Sequence, residues 1–513
     1  KFKMVLPLFQ AISLGILALF CRVVYSAYFS PLSKIPNAHF SSPFSNIWLL
    51  IQKWNGCENR ARLTAHERLG PVIRIGSNEL SINHIEGLRT VYNNSSFERT
   101  NWFANGFRGN EFPIMATLIS TKDHAARKRM MAPMYSKSNI QNSHSVASIL
   151  DKVVVNTLGN EVEHWAKTET TIDVHSKFRA CATDITSAWV YGIHQGTDWL
   201  HDESDAKFFI KNFNQSGAGF FWRSELYGLV KVLAKVGLRL VPKISDEAHY
   251  KLQEWSQKKC NLLEASMKDN ESNDSEARTN KRSTGTHLYG ELRSALKKTT
   301  QENTILRDET FDHILANQAG TAIALTYTAY SLSLHPQWQD RLRKEFMENP
   351  VDHDEDFLSP RALDKLPILD AILTETLRLY APEPGPWPRS HPNATTTLGE
   401  YTGIPAGTII SASAFSLHRN KEVFPDPEEW RPERWLEASP EKRAEMWKWF
   451  WAFGSGTRMC IGSNLALLGI KSVLKVIYSK YQTTIVDDSG IEQLDAVIAA
   501  PKGDKLLLKF AKV

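Results

Sequence analysis

Apolar positions are concentrated at the start of this chain and become periodic further along it. Residues 4–21 are almost wholly apolar, and a second apolar patch extends to Phe29. A run of this kind is long enough to cross a bilayer, which takes about 20 apolar residues. We therefore expect one N-terminal transmembrane helix within residues 1–30. A cleaved signal peptide is the competing interpretation, but the run is long and no clear small-residue cleavage site follows it.

A proline-punctuated stretch, SPLSKIP at residues 30–36, follows the apolar segment. Proline fixes its own backbone and restricts the residue before it, so such a stretch indicates a stiff hinge. The expected organisation is a membrane anchor with its flank at residues 1–30 and one globular domain at residues 31–513, with the hinge at about 31–37.

The globular part combines short strands with long helices. Short apolar runs predict strands at residues 72–75 and 79–82, whereas helical periodicity dominates from residue 149 onward, with no internal repeat. A long and mostly apolar helix extends from residue 310 to residue 334 and ends where His335 and Pro336 stop the helical pattern. We predict a mainly α (α+β) globule with small β-sheets.

Composition narrows the functional classes. The chain is 42% hydrophobic and 23% charged, which is typical of a globular protein with a sizeable core. A net charge of +5, without a stripe of basic and aromatic residues, does not favour nucleic acid as a partner. The five cysteines are scattered without a CxxC pair, which indicates reduced thiols in a protein that faces the cytosol.

One cysteine stands in a glycine-rich loop, FGSGTRMCIG at residues 453–462. The glycines allow a tight loop with backbone amides turned inward. Amide donors, a following helix N-terminus and the nearby Arg458 all favour a thiolate at Cys460, and a thiolate can serve as an axial ligand to haem iron. An ordinary buried cysteine is the alternative on the cysteine alone.

The spacing of this loop, Phe453-x-x-Gly456-x-Arg458-x-Cys460-x-Gly462, resembles the complete haem-binding loop of the cytochrome P450 family. The resemblance implies that Cys460 is the proximal iron ligand, that Phe453 packs near the haem and that Arg458 reaches a haem propionate. Gly462 fills the last fixed position of the loop. The expected fold is then a P450-like helical globule, and residues 31–513 form its haem-thiolate catalytic domain.

Two further motifs resemble paired signatures of the same family. Glu375 and Arg378 are three residues apart on an apolar helix, and Arg434 lies in WRPERW at residues 430–435, before the cysteine loop. A Glu–Arg pair at this spacing shares one helix face and is weak evidence alone. The resemblance implies that the three residues form a buried charged triad behind the haem.

The resemblance also suggests which side chains bind the propionates. His124 and Lys128 occupy the positions where family members often carry His or Trp and, four residues later, Arg. Lysine keeps the charge there but loses the planar fork of arginine. Arg389 ends a proline-rich, extended segment at residues 382–389 that skirts the cavity in the family, and it is the third candidate.

The central helix departs from the family pattern of a small residue, glycine, any residue, an acid and two threonines. Without a gap, the chain has ANQAGT at residues 316–321, so Asn317 replaces the glycine, Ala319 the acid and Gly320 the first threonine. A rival alignment starts the signature at Ala319 and deletes three residues, which would turn the downstream face by about 60°. In both alignments the acid is missing. Proton delivery would then fall to Asn317, Thr321, a substrate hydroxyl or water.

The implied activity is oxidation of an apolar small molecule by a haem b monooxygenase that uses dioxygen, as in fungal secondary metabolism. Since no GxGxxG signature is present, electrons from NADPH would arrive through NADPH–cytochrome P450 reductase, with cytochrome b5 as a further donor. The expected location is the endoplasmic reticulum membrane, with the catalytic domain in the cytosol. The altered central helix keeps open a haem-thiolate isomerase or dehydratase that needs no reductase. A non-catalytic haem sensor is the third class.

Overall fold

Local sequence signals set the ends of many helices in this chain. In the computed structural model, which describes residues 2–107, 113–272, 287–296, 302–349 and 359–513, the Asp173 side chain accepts a hydrogen bond from the backbone N–H of His175 and so caps a long buried helix. That helix ends at Gly192, whose φ of 90° lies in the left-handed region. Pro336 opens another helix at the position where its missing N–H costs nothing.

The helices of the first half of the described chain are α1 (Phe2–Tyr28), α2 (Ile47–Trp54), α3 (Glu58–Leu69), α4 (Ile85–Tyr92), α5 (Asn101–Gly106), α6 (Thr121–Met131), α7 (Lys137–Asn142), α8 (His144–Leu150), α9 (Gly159–Thr168), α10 (Val174–Tyr191), α11 (Glu203–Gly217), α12 (Phe220–Glu225), α13 (Tyr227–Lys235) and α14 (Lys243–Ser272). A π-helical segment, Asp151–Leu158, joins α8 to α9. Short 3-10 turns lie at Pro31–Lys34 and at Gly456–Arg458.

The helices of the second half are α15 (Leu288–Leu296), α16 (Glu302–Leu334), α17 (Pro336–Glu348), α18 (Pro360–Leu363), α19 (Pro367–Leu379), α20 (Ala414–Leu417), α21 (Glu433–Leu436), α22 (Pro440–Trp449) and α23 (Ser463–Tyr478). The strands are β1 (Val72–Gly76), β2 (Glu79–Ile82), β3 (Glu98–Arg99), β4 (Ile172–Asp173), β5 (Arg389–Ser390), β6 (Thr396–Leu398), β7 (Tyr401–Ile404), β8 (Ile409–Ser411), β9 (Tyr481–Asp487) and β10 (Leu507–Lys512). The predicted mainly α fold with small sheets is confirmed.

Within the described ranges the strands form three sheets, with the orders β1-β2-β8-β5-β3, β4-β10-β9 and β6-β7. The pair β2–β8 is parallel and the other pairs are antiparallel. At the end of the first sheet, Arg99 of β3 lies opposite Arg389 of β5. This pairing brings together two arginines that are far apart in the sequence, and it matters for the site.

The hydrophobic core surrounds α16 and α10, which pack along each other. Nearly every side chain of α10 is buried, and α16 is buried along most of its length. Helix α23, which follows the cysteine loop, joins the same apolar cluster. A second cluster packs under the first sheet and includes Trp449 and Trp451. The cysteine loop therefore lies between two packed cores.

The N-terminal segment differs from the sequence expectation. Among the residues that the structure describes, no helix combines the length and the apolar character needed to span a bilayer. The side chains of α1 are described from Ser13 to Tyr28 except at residue 19, a shorter stretch than the about 20 residues that crossing requires. The predicted transmembrane helix is not confirmed, and the first part of its apolar run, residues 1–12, lies outside the described side chains.

Candidate active site

The cysteine loop takes a shape that only glycine allows at two positions. Gly454 and Gly456 have φ values of 68° and 66°, in the left-handed region. A Cβ on Gly456 would lie 2.1 Å from the carbonyl oxygen of Tyr92 at the end of α4. The loop closes through a hydrogen bond of 3.0 Å from the Cys460 N–H to the carbonyl of Phe453. Phe453 itself packs against the main core.

The Cys460 residue keeps an accessible surface, and its thiol is surrounded by protein groups that act on its charge. The amides of Gly462 and Ser463, at the start of α23, lower the pKa of the Cys460 thiol, as does the charge of Lys128. Burial and the carboxylate of Glu383 act in the opposite direction and raise the pKa to about 11. The donors that lower this pKa are evident from the sequence, whereas the burial that raises it is not. A coordinated metal cation deprotonates a thiol outright, so ligation does not depend on a low pKa in the free protein.

Five basic side chains converge above this loop and are called here the cationic cradle: Arg99, His124, Lys128, Arg389 and Arg458. Arg99 Nε and Nη1, Arg458 Nε and His124 Nδ1 are buried, with no hydrogen-bond partner among the described residues. Burial lowers the pKa of His124 to about 3, helped by Arg458, Arg99, Lys128 and Arg389. Burial also lowers the pKa of Arg99 well below its ordinary value, and Arg389 and Arg458 add to the effect. Arg99 and Arg458 repel each other and keep buried nitrogens without a partner, so they need an anion, and the neutral ring of His124 can donate a hydrogen bond to the same anion.

The rest of the cradle is fixed by backbone carbonyls. Lys128 donates to the carbonyls of Thr457 (3.1 Å) and Met459 (2.8 Å), so it braces the cysteine loop directly. The Arg458 guanidinium donates to backbone carbonyls at residues 118 and 119, at 2.6 and 2.7 Å. Arg389 donates to its neighbour's carbonyl at 3.0 Å and lies 5.2 Å from the ring centroid of Tyr92. Each side chain is thereby oriented without being neutralised by a carboxylate.

Glu375, Arg378 and Arg434 meet in one buried network. The Glu375 carboxylate accepts from Arg378 Nε (2.9 Å) and Nη2 (2.8 Å) and from Arg434 Nε (2.9 Å). It also accepts from the indole of Trp435 and the backbone N–H of Arg431, both at 2.9 Å. Burial raises the pKa of Glu375, but these donors and charges outweigh it and hold the pKa below its ordinary value.

His418 links this network to the cysteine loop and was not singled out from the sequence. Its Nδ1–H donates to the Arg378 carbonyl at 2.8 Å, and its Nε2 accepts from the Trp451 N–H at 2.7 Å. Burial lowers the pKa of His418 to about 3, so the ring is neutral and can do both. The Trp451 carbonyl in turn accepts from the Gly454 N–H at 3.0 Å. A continuous chain of hydrogen bonds therefore runs from the triad into the loop.

Helix α16 turns its small residues toward open space. Ala316 is exposed although it lies midway along a buried helix, and a Cβ on Gly320 would meet nothing within 4 Å. Ala319, one position earlier on the packed side, is 5% exposed. Residues four apart share a helix face, so Ala316 and Gly320 together form a groove.

Asn317 points to α10 instead, and Thr321 bonds to Asn317. Asn317 Nδ2 donates to the Ala182 carbonyl at 2.9 Å and to the hydroxyl of Thr186. Thr321 Oγ1 donates to Asn317 Oδ1 at 2.6 Å. Each residue follows a groove residue by one position, which is a rotation of about 100° around the helix. In the structure these two residues connect α16 to α10. Their catalytic role stays a prediction that this geometry does not favour.

Two carboxyl groups, Asp312 and Glu383, also lie in this region and were missed from the sequence. Burial raises the pKa of each to about 7, and the charge of Arg99 opposes the rise. Glu383 acts electrostatically on both Cys460 and Asp312, so the three groups lie near one another. The region between Cys460 and the groove residues of α16 is called the central cavity below.

Comparison with known proteins identifies the family of this chain. A family model for cytochrome P450 matches residues 41–508, which contain the loop, the cradle, the triad and α16. The chain belongs to the cytochrome P450 family. Its curated relatives are fungal P450 monooxygenases, and this confirms the enzyme class expected from the sequence.

Three of these relatives show the extent of the similarity. This P450 is 29% identical over 421 residues to cytochrome P450 monooxygenase avaI of Aspergillus versicolor, which covers 79% of this chain and 93% of that protein. It is 28% identical over 450 residues to cytochrome P450 monooxygenase FGM1 of Gibberella zeae, covering 87% and 86%. It is 26% identical over 517 residues to tryptophan 6-hydroxylase fscE of Fusarium equiseti, covering 95% and 94%.

The residues of this P450 fit a haem-thiolate cofactor. Cys460 would supply the sulfur ligand, and the unpartnered nitrogens of Arg99, His124 and Arg458 are suited to the two propionate carboxylates of a haem. Ala316 and Gly320 leave room on the opposite face. The family implies this cofactor, and the orphaned cations are the observation in the structure that agrees with it.

Arg99 is the cradle residue that sequence reasoning missed. It lies on a two-residue strand outside any motif, and only its pairing with Arg389 across the sheet reveals its position. The signal available in the sequence was the FER triplet at residues 97–99 directly before an aromatic stretch, which is too short to be specific.

Arg99→Ala is expected to weaken haem retention, since the variant removes an unpaired buried cation that can bind a propionate. A hydrogen bond to a charged group contributes about 1.5–3 kcal/mol, so haem should dissociate about 10–100 times faster. Transfer of haem to apomyoglobin measures the rate. Arg60→Ala, at an exposed arginine, is the matched control. Equal rates of haem loss in the two variants would show that Arg99 does not bind the cofactor.

Proposed function

We propose that this enzyme is a haem b monooxygenase that oxidises a largely apolar small molecule with dioxygen and electrons from NADPH, delivered by a membrane-bound P450 reductase. The observation that carries the proposal is the convergence of the thiol loop and the cationic cradle on a cavity roofed by the small residues of α16. Fungal relatives of the same family support a role in secondary metabolism.

The bound haem would supply dioxygen activation and oxygen transfer, which the side chains cannot perform. The loop holds the Cys460 thiol in place. The cradle would orient the haem by binding its propionate carboxylates. Ala316 and Gly320 leave space for a substrate and for water in the groove. Ala319 and Gly320 carry no exchangeable side-chain proton, so substrate hydroxyls or ordered water supply the protons that an acid and an alcohol supply elsewhere in the family.

A cavity of about 1220 Å³ beside the cradle is the proposed route for the substrate. It is lined by Arg99, Trp102 and Glu225, and by Val497 of the C-terminal turn. Glu225 forms an ion pair with Lys53 at 2.8 Å and accepts from the Trp102 indole at 2.5 Å. These bonds join α2, α5 and α12 in the lining of the cavity.

We also propose association with the endoplasmic reticulum membrane, with the catalytic domain on the cytosolic side. Large apolar side chains are exposed near the N-terminus and directly after α13: Phe29 is 72%, Phe40 is 81% and Val236 is 69% exposed. Exposed apolar patches mark contact with proteins or lipids. Flotation of the full chain with liposomes tests the proposal, and recovery only in the lipid-free fraction would contradict it.

The activity test is reconstitution with a P450 reductase, NADPH and ¹⁸O₂ against a panel of candidate substrates. We expect a product that contains one labelled oxygen and forms only with NADPH. The absence of acid and alcohol at Ala319 and Gly320 is the observation that favours a second candidate, a haem-thiolate isomerase or dehydratase. Product formed without NADPH and dioxygen would establish the isomerase class instead.

Gly320→Thr is expected to improve the coupling of NADPH use to product. A Cβ at this position meets nothing within 4 Å, so a hydroxyl can be placed in the groove without a clash with the protein. General acid groups contribute about 10²–10⁴-fold to such steps, and a partial gain of several-fold in product per NADPH is expected. Hydrogen peroxide release should fall in parallel. Gly217→Thr, at another helical glycine with open space around it, controls for the substitution itself. Unchanged coupling at normal haem content would contradict the prediction.

A further inference from the structure

A buried tyrosine and a buried histidine form a hydrogen-bonded pair between α16 and the segment that follows α6. The Tyr135 hydroxyl lies 3.0 Å from His313 Nδ1, and the two rings are nearly parallel, with an interplanar angle of 15°. Only 4% of Tyr135 and 9% of His313 is exposed. Neither side chain has a part in the proposed reaction, so the pair needs an explanation of its own.

The pair is connected to both sides of the central cavity. His313 lies on α16 three residues before Ala316, and residues at this spacing are neighbours on a helix surface. The Tyr135 carbonyl accepts a hydrogen bond of 2.9 Å from the side chain of Asn464, on the first turn of α23 and four residues after Cys460. The charge of Cys460 also acts on the Tyr135 phenol. The phenol therefore stands near both the iron ligand and the groove.

The hydrogen bonds of His313 determine which ring nitrogen carries its proton. The Nε2–H donates to the sulfur of Met131 at 3.2 Å, so Nδ1 carries a lone pair and accepts from the Tyr135 O–H. Burial lowers the pKa of His313 to about 4, which leaves the ring neutral at physiological pH. The Tyr135 phenol thus meets an uncharged base, whereas the phenols of Tyr92 and Tyr327 donate to backbone carbonyls.

The base at His313 makes the Tyr135 phenol easier to oxidise than an ordinary phenol. Loss of an electron alone leaves a strongly acidic cation, which is unfavourable in a buried site. A base in hydrogen-bond contact can take the proton as the electron leaves, so that no charged phenol is formed. Backbone carbonyls do not provide this route, and Tyr135 is therefore set apart from Tyr92 and Tyr327 by its partner.

We propose that Tyr135 is a redox-active residue that reduces the haem after it has been oxidised with no substrate in reach. This inference rests on the proposed function, because it takes Cys460 to hold a haem at the central cavity. The phenolic O–H bond of Tyr135 breaks, one electron goes to the oxidised haem, and the proton goes to Nδ1 of His313. The products are a neutral phenoxyl radical and an imidazolium. One electron from the reductase and the proton held by His313 restore the phenol.

A peroxyacid serves as the oxidant in the test, so that neither NADPH nor dioxygen is needed. Peracetic acid takes two electrons from the ferric haem protein as its O–O bond breaks, and with two protons from water it leaves as acetic acid and water. Tyr135 supplies one of these electrons and the haem supplies the other. The full chain with ferric haem and without substrate is mixed with peracetic acid and frozen within milliseconds, and its electron paramagnetic resonance spectrum is recorded.

The expected result is the signal of a tyrosyl radical, which Tyr135→Phe should abolish. Protein grown with ring-deuterated tyrosine should show a narrower hyperfine pattern. This change excludes a radical on Trp189, whose ring centroid lies 6.2 Å from that of Tyr135. Tyr327→Phe is the matched control, because it removes a buried phenol on α16 that donates to a backbone carbonyl. The control should keep the signal.

His313→Gln separates a redox role of the pair from a structural one. The glutamine amide can accept the hydrogen bond from Tyr135, but it is not a base that takes up the phenolic proton. The variant should keep its haem and its thermal stability and lose most of the radical signal. If the pair served only the packing of the protein, the signal would be the same in this variant as in the wild type.

An undiminished tyrosyl signal in Tyr135→Phe or in His313→Gln would overturn the proposal. A wild type whose haem absorption responds to peracetic acid without any tyrosyl signal would overturn it as well. The experiment uses no reductase and measures no oxygenated product. A failure of the monooxygenase assay therefore leaves its outcome standing, and the absence of the radical leaves the monooxygenase assignment standing.

Discussion

Replacement of Cys460 by histidine is expected to abolish the strongly red-shifted Soret band of the reduced, carbon monoxide-bound enzyme. That band is the spectroscopic sign of thiolate ligation, and Cys460 is the cysteine that the loop presents to the central cavity. Imidazole can take the axial position but donates less electron density than a thiolate. Monooxygenase turnover should be lost together with the band.

Cys57→Ser is the matched control for this variant. Cys57 is half-buried in the lining of the 1220 Å³ cavity, and its thiol contacts the Gln52 side chain at 3.2 Å. The control should keep the red-shifted band at full intensity. An unchanged band in Cys460→His would show that another group ligates the iron.

Arg378→Ala is expected to yield protein that is poorly folded or free of haem. The change leaves the Glu375 carboxylate buried with one of its two arginines gone, and the carbonyls of Pro427 and His418 lose their donor. Breaking a buried ion pair by removing one partner costs about 3–5 kcal/mol. Because His418 continues the network to Trp451 and the cysteine loop, the loss should reach the iron ligand.

Arg431→Ala provides a close comparison. Arg431 is three residues from Arg434, but its side chain is 44% exposed and pairs with Asp426 at the surface. The variant keeps the hydrogen bond from the backbone N–H of residue 431 to Glu375. The expected loss in the free energy of unfolding is therefore only about 0–1 kcal/mol. For both variants, the haem absorbance per protein gives the haem content, and thermal unfolding gives the stability. Normal haem content in Arg378→Ala, with slower turnover alone, would show that the triad acts in chemistry rather than in structure.

The parts of the site that could be predicted from the sequence are those defined by local spacing. The loop around Cys460 needs its glycines because of backbone angles and the close approach to Tyr92, and such requirements leave a fixed pattern. Arg99, Asp312 and Glu383 reach the cavity through contacts between distant segments. A two-residue strand pairing and a proline-rich path leave no periodic signal in the sequence.

Helix phase explains the main difference between expectation and structure. The alignment placed Asn317 and Thr321 in signature positions, but it did not report which way each side chain points. Asn317 donates to α10 and Thr321 donates to Asn317, whereas the open side of the helix is at Ala316 and Gly320. The N-terminal apolar run shows the limit of composition as a signal. Composition alone predicted a membrane span, and the described part of the chain contains no helix that is long and apolar enough for one.

The two faces of α16 also bear on how this enzyme can diversify. Asn317 fastens the helix to α10 and is held by Thr321, while Ala316 and Gly320 lie on the open side of the helix and contribute little to that packing. Changes on the cavity face can therefore accumulate at small cost in folding free energy, since distant, independent sites act additively. Selection for a new metabolite can act on one side of a single helix while the other side preserves the scaffold.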